Sequence, residues 1–148
     1  MFFESDYKVL TNEKIAKDVY KMELEGDTSH ITAPGQFINI KLEGKFLRRP
    51  ISVCDCNENV ITIIYKVVGE GTEQMSNISV GEILNILTGL GNGYDISKSA
   101  KPLLIGGGGG GRPSILFCRS NPYTHQSRNP SFLQKKIGLN IRFYYKQL

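Results

Sequence analysis

From Tyr7 to about Ile96 the chain is a succession of short alternating or β-branched runs broken by turn residues, and this pattern restricts the fold more than any other feature. The candidate strands are residues 7–10, 19–24, 36–42, 51–54, 60–68 and 82–87. Strands this short, rich in Val, Ile and Tyr and punctuated by Gly, Asn and Asp, build an antiparallel barrel or sandwich, and these are enough to close a small barrel. Between the last two, Thr72-Glu73-Gln74-Met75-Ser76-Asn77-Ile78 has no breaker before Gly81, which predicts a short helix starting at Thr72 as its N-cap. Residues 101–105 read as a first buried parallel strand, and Gly106 to Gly111 as the turn that would open a βαβ unit, but the helix that should follow is missing. Past Gly111 there is no helical apolar period, and Pro113, Pro122 and Pro130 break what remains, so no packing is expected there.

A length of 148 residues allows one domain and a fragment of another. With 40% hydrophobic and 22% charged residues, the composition is that of a folded globular chain. The net charge of +4 is spread along the sequence without a basic run interleaved with aromatics, which argues against nucleic acid as a partner. Apolar runs fall far short of the roughly 18 residues of a membrane span, and the first residues have no leader pattern, so a cytoplasmic protein with no membrane partner is expected. The three cysteines, Cys54, Cys56 and Cys118, have neither disulfide-framework nor metal-ligand spacing. Cys54 and Cys56, two apart in a strand, should face the same side. No Ser-His-Asp set, carboxylate pair or metal motif is visible, so no catalytic or metal-binding residue is assigned.

The residues with binding chemistry lie close together in sequence. Arg49 can make charge-assisted, bidentate bonds to a phosphate. Ser52 lies three strand residues further on, about 10 Å away, close to the separation of a pyrophosphate from the edge of a flavin ring. Gly71 and Thr72, read at the helix start, can present backbone N–H groups and a hydroxyl to the same anion, although a glycine turn with a threonine cap is also an ordinary connection. Tyr65 and Lys66 point to opposite faces of their strand, so one can reach a ligand while the other meets core or solvent. Gly89-Leu90-Gly91-Asn92-Gly93-Tyr94 is either a backbone approach to a flat ring or a loop between domains.

The ordered set Pro34-Gly35-Gln36-Phe37, Leu47-Arg48-Arg49-Pro50-Ile51-Ser52, Ile64-Tyr65-Lys66, Gly69-Glu70-Gly71-Thr72, Leu90-Gly91-Asn92-Gly93-Tyr94-Asp95 and Leu103-Leu104-Ile105-Gly106-Gly107-Gly108 closely resembles the electron transfer subunits of type B dihydroorotate dehydrogenase. These belong to the ferredoxin reductase-like flavoproteins. The resemblance, over about residues 5–111, implies a mainly β fold: a ferredoxin reductase-type FAD-binding antiparallel β-barrel (1–98), then the truncated start of an α/β nicotinamide-nucleotide domain (99–148). It implies FAD held by Arg49, Pro50, Ile51 and Ser52, by Ile64, Tyr65 and Lys66, and by Gly71 and Thr72. In the family, electrons from the FMN of a catalytic dihydroorotate dehydrogenase subunit pass through a [2Fe-2S] centre and FAD to NAD, in a heterotetramer serving pyrimidine (UMP) biosynthesis.

Departures from the pattern set further expectations. Lys66 stands where arginine is common, keeping the charge but losing the fork. Thr88-Gly89-Leu90-Gly91 replaces Gly-Pro-Leu-Gly. The family's C-terminal cysteine cluster is missing, so no [2Fe-2S] centre is expected here, and NAD-linked turnover by this chain alone is not expected either. From about Gly109 the tail is expected to be out of frame: a glycine tract readily gains or loses a base, and reading Ile137-Gly138-Leu139-Asn140-Ile141-Arg142-Phe143 one nucleotide later permits a strand-like sequence similar to the family's. The rival readings are an FAD subunit of a ferredoxin:NADP or sulfide reductase, and a non-catalytic barrel that docks onto a partner.

Overall fold

The computed structural model of the chain describes residues 2–33 and 35–93. The expectations for 99–148, namely the parallel strand, the glycine turn, Cys118 and the out-of-frame tail, lie outside the described residues.

Six strands close into an antiparallel barrel in the order β1-β2-β5-β4-β3-β6. They are β1 (Phe3–Ala16), β2 (Val19–Glu25), β3 (Phe37–Ile40), β4 (Arg49–Asn57), β5 (Val60–Lys66) and β6 (Ile83–Leu90), with one helix, α1 (Glu70–Ser76), between β5 and β6. Alternation puts Val9, Met22, Leu24, Ile38, Ile40, Val53, Ile61, Ile63 and Ile86 inside, all fully buried. Branched side chains standing off a pleated surface fill so narrow an interior well. Met75 of α1 joins this core and is also fully buried, so the helix closes one end of the barrel. Among the described residues no helix is long and apolar enough to cross a membrane.

β1 is far longer than its apolar signal. Its first half pairs with β6, Phe3 opposite Thr88 through Lys8 opposite Ile83, and its second half pairs with β2, Lys8 opposite Glu25 through Ala16 opposite Val19. Pairing with β2 holds polar residues such as Asn12 and Glu13 in the strand despite their weak β-propensity. Register shifts between Val9 and Thr11 and between Lys14 and Ala16 let it bend around the barrel.

Two local expectations are corrected. The helix begins at Glu70, not Thr72, behind a fully extended Gly69 (φ 177°, ψ 176°). Thr72 is therefore the third helical residue, and its hydroxyl reaches back to the cap instead of being the cap. Cys54 and Cys56 do not share a face by simple alternation, because β4 bulges against β5 between Val53 and Asp55. The extra residue resets the pleat: Cys56 packs against the core, while Cys54 is buried outside the core cluster.

Candidate functional site

Arg49 opens β4 opposite Ile40, on the face that points into the barrel, at the end closed by α1. Its guanidinium lies across Gly71: a Cβ on that glycine would sit 2.0 Å from Nε and 2.7 Å from Cζ and Nη2. Only glycine leaves room for this contact, which accounts for a buried glycine in the first turn of a helix. Nη1 donates to the Leu47 carbonyl at 2.7 Å, and among the described residues no carboxylate forms an ion pair with Arg49. Glu70 pairs instead with Lys45 at 2.6 Å, and that hydrogen bond holds its carboxyl below the usual range, with a smaller push from the Arg49 charge.

The turn leading into α1 is held by Thr72. Its Oγ1 accepts from the N–H groups of Val68 (2.9 Å) and Gly69 (3.2 Å) and donates to the Gly69 carbonyl (2.9 Å). The hydroxyl is thereby committed to the chain itself, so what Thr72 can offer a ligand is its backbone N–H, which has no acceptor within the helix. The expected positive helix end is weak. α1 has seven residues with Glu70 and Glu73 in its first turn, so the positive charge at this turn is the Arg49 guanidinium.

Of the second segment, Tyr65 faces inward and is buried, its ring stacked on Tyr20 with centroids 5.7 Å apart. Its hydroxyl donates to Asn12 Oδ1 (2.8 Å), and Asn12 Nδ2 donates to the carbonyls of Met75 (2.9 Å) and Ile78 (3.0 Å). Burial raises the Tyr65 phenol pKa, opposed in part by the bond to Asn12. Tyr65 thus anchors α1 to the barrel through Asn12. Its neighbours Ile64 and Lys66 alternate to the outer face, Ile64 half-buried and Lys66 exposed.

On β4, Ile51 shares the Arg49 face and packs against the core, whereas Pro50 and Ser52 alternate outward. Ser52 is opposite Phe37, which is in turn opposite Leu90. Gly91, at φ +81°, turns the chain over the Phe37 ring, where an added Cβ would meet ring carbon Cδ1 at 3.3 Å. The buried Gln36 holds this turn through a 3.4 Å bond from Nε2 to the Gly91 carbonyl, while its Oε1 accepts from Thr32 and Ala33. The structure therefore gathers Arg49, Gly71 and Thr72 at one end of the barrel and places Ser52 about 10 Å along β4 on the outer face. A ligand reaching both must run over the rim. Sequence reasoning passed over Asn12, Lys45 and the bonds of Arg48; an asparagine inside a strand, where amides are depleted, was the available signal.

This barrel, closed at one end by a short helix, is the fold of the ferredoxin reductase-type FAD-binding domains. The ferredoxin reductase in carbazole 1,9a-dioxygenase matches with a TM-score of 0.70 at 21% identity, over 84% of this chain and 41% of that one. The NADH-dependent reduced ferredoxin-NADP oxidoreductase matches with a TM-score of 0.56 at 30% identity, over 60% of this chain and 34% of that one. In sequence, the chain is 45% identical over 117 residues to the dihydroorotate dehydrogenase B (NAD(+)) electron transfer subunit of Fusobacterium nucleatum, covering 73% of this chain and 45% of the relative. The corresponding subunit of Caldanaerobacter subterraneus is 43% identical over 115 residues, covering 76% of this chain and 45% of the relative. The chain is thus homologous, over about three quarters of its length, to the electron transfer subunits of dihydroorotate dehydrogenase B within the ferredoxin reductase-like flavoproteins. It spans about half the length of these relatives, 45% in each case, and no protein-family model matches it.

Proposed function

We propose that the chain is the FAD-binding part of an electron transfer subunit that works beside an FMN-containing dihydroorotate dehydrogenase subunit, with NAD as the final acceptor. The observation that carries the flavin site is the Arg49 guanidinium lying across Gly71 without a carboxylate partner among the described residues. A guanidinium without a carboxylate partner beside backbone N–H groups of a first helical turn is a donor set for a pyrophosphate.

In this reading Arg49, with the N–H groups of Gly71 and Thr72, holds the pyrophosphate, while Pro50, Ile51 and Ser52 carry the ligand along β4 toward its ring. Ser52 presents a hydroxyl to the ring edge, and Ile64, Tyr65 and Lys66 contribute through backbone and the outward side chains. Bound FAD would supply the exchange of electron pairs with a nicotinamide and of single electrons with a metal centre. The protein's part is to fix the ring and shield it from water. The described residues offer no ligand set for a [2Fe-2S] centre, since no group of three His, Cys, Asp or Glu side chains converges. We place the boundary of the flavin domain near residue 98. A second reading, an FAD subunit of a ferredoxin:NADP reductase, draws on the 30% identity to the ferredoxin-NADP oxidoreductase, but that match covers 60% of the chain against 73% and 76% for the dihydroorotate dehydrogenase relatives.

The test is the visible absorption spectrum of the purified chain with chromatographic identification of the flavin released on denaturation. One FAD per chain is expected. A folded but colourless protein that does not take up added FAD would overturn the proposal.

A further inference from the structure

Arg49 pairs with no carboxylate among the described residues, yet one is close at hand. Glu70 immediately precedes Gly71, the residue across which the guanidinium lies, and its side chain is 85% exposed. The Glu70 carboxyl is held below its usual range by the hydrogen bond to Lys45 and by the Lys45 charge, and the Arg49 charge adds to both. What takes up this carboxylate is Lys45, whose Nζ meets Glu70 Oε2 at 2.6 Å. The lysine is placed for it by its loop: the Lys45 N–H donates to the Leu42 carbonyl at 3.2 Å, and Gln74 Nε2 of α1 donates to the Glu43 carbonyl at 3.0 Å. The helix that carries Glu70 therefore also holds the loop that carries Lys45.

A carboxylate and a phosphate compete for the same fork of an arginine, because each is bound best by two parallel N–H bonds. Glu70 turned onto Arg49 would occupy that fork, and an arriving anion would have to displace a group of its own sign. The competition has a bounded size: an exposed ion pair is worth little, so it can weaken anion binding by a factor of about five at most. For the same reason the Lys45–Glu70 pair adds little to the stability of the fold. Its consequence lies in where it leaves the Glu70 charge.

We infer that Lys45 is a positioning residue for the anion site: it draws the Glu70 carboxylate away from Arg49 and so keeps the guanidinium open to a phosphate-bearing ligand. Glu70 is the internal competitor and Lys45 its restraint, and Lys45 itself need not touch the ligand. The inference rests on the flavin reading above.

The experiment is a double-mutant cycle on the full 148-residue chain, read as FAD affinity by isothermal titration. Lys45→Gln should weaken FAD about fivefold, because Glu70 is released onto Arg49. Glu70→Gln should bind FAD at least as tightly as the wild type, and Lys45→Gln/Glu70→Gln should return to the wild-type affinity, since the competitor is gone. Lys45→Arg, which can still hold Glu70, should also bind as the wild type does. A double variant as weak as Lys45→Gln means that Lys45 contacts the ligand directly, and Glu70→Gln as weak as Lys45→Gln means that the pair acts only by bracing the loop. Either result, or unchanged affinity in Lys45→Gln, overturns the inference and leaves the flavin site standing. A folded wild-type chain that binds no FAD overturns the flavin reading and this inference with it. Because the pair is exposed, thermal unfolding of all four variants should match the wild type's.

Discussion

Arg48 and Arg49 are chemically identical neighbours in two different regions of the barrel. Arg48 lies on the outer seam of β3, β6 and β1. It donates to Asn85 Oδ1 (2.7 Å), to the carbonyls of Asn85 (3.3 Å) and Asn39 (3.4 Å), and to Glu4 Oε1 (2.7 Å). Arg49 lies at the rim by α1 with, among the described residues, one bond, to Leu47, and no paired carboxylate. The seam guanidinium is engaged through both Nη atoms and braces three strands, whereas the rim guanidinium has a single bond to the described residues. A chain that needed only stability would pair both.

The comparison can be broken most sharply at Gly71. In Gly71→Ala the new methyl occupies the place of the Arg49 guanidinium, the mobile end of a long side chain, so the arginine moves and the fold does not. FAD affinity should fall about 100-fold, the worth of displaced charge-assisted hydrogen bonds. Alanine is the better helix former, so thermal stability should hold or rise by up to about 1 kcal/mol. Isothermal titration and thermal melts on the same sample check both signs.

A smaller effect is expected where the rim is anchored to the barrel. Asn12→Ala leaves the Tyr65 hydroxyl, the Met75 carbonyl of α1 and the Ile78 carbonyl just beyond it without their partner, which should cost about 2 kcal/mol in urea unfolding. It should also raise amide exchange in α1 ahead of the strands.

Tyr65→Phe should cost less, about 1 kcal/mol at neutral pH, and should also change the alkaline limb of stability. Burial raises the Tyr65 phenol pKa above its ordinary value near 10, as it does for Tyr7. A phenol that holds its proton more tightly folded than unfolded stabilises fully below about pH 10, and the contribution is lost as pH rises beyond that. Wild-type stability should therefore drop above pH 10, and Tyr65→Phe should drop less steeply. Urea midpoints measured across pH 8 to 11.5 check this, the range being set by that ordinary value of about 10.

Much of the barrel was legible because short apolar and β-branched runs such as 19–24, 60–68 and 82–87 are separated by turn residues. β1 was read at less than its length because pairing with β2, not apolar patterning, keeps Thr11 to Lys14 extended. The helix start was misplaced because Thr72 has the chemistry of a cap, while the cap position itself belongs to an extended glycine. In the candidate site, the types and order of residues could be read, but the division of labour could not. Nothing local distinguishes Arg48 from Arg49 until Glu4 and Asn85, far away in sequence, close on one of them. Tyr65 was read as part of a cofactor-binding segment, and its hydroxyl is bonded to Asn12, a partner 53 residues away.

The most direct measurement sets Arg48→Ala beside Arg49→Ala, with FAD affinity and urea stability determined for each. The account predicts that Arg49→Ala loses FAD about 100-fold and keeps its stability, while Arg48→Ala loses about 2 kcal/mol of stability and binds FAD nearly as the wild type does. Unchanged FAD affinity in Arg49→Ala, or equal losses of affinity in the two variants, would contradict it.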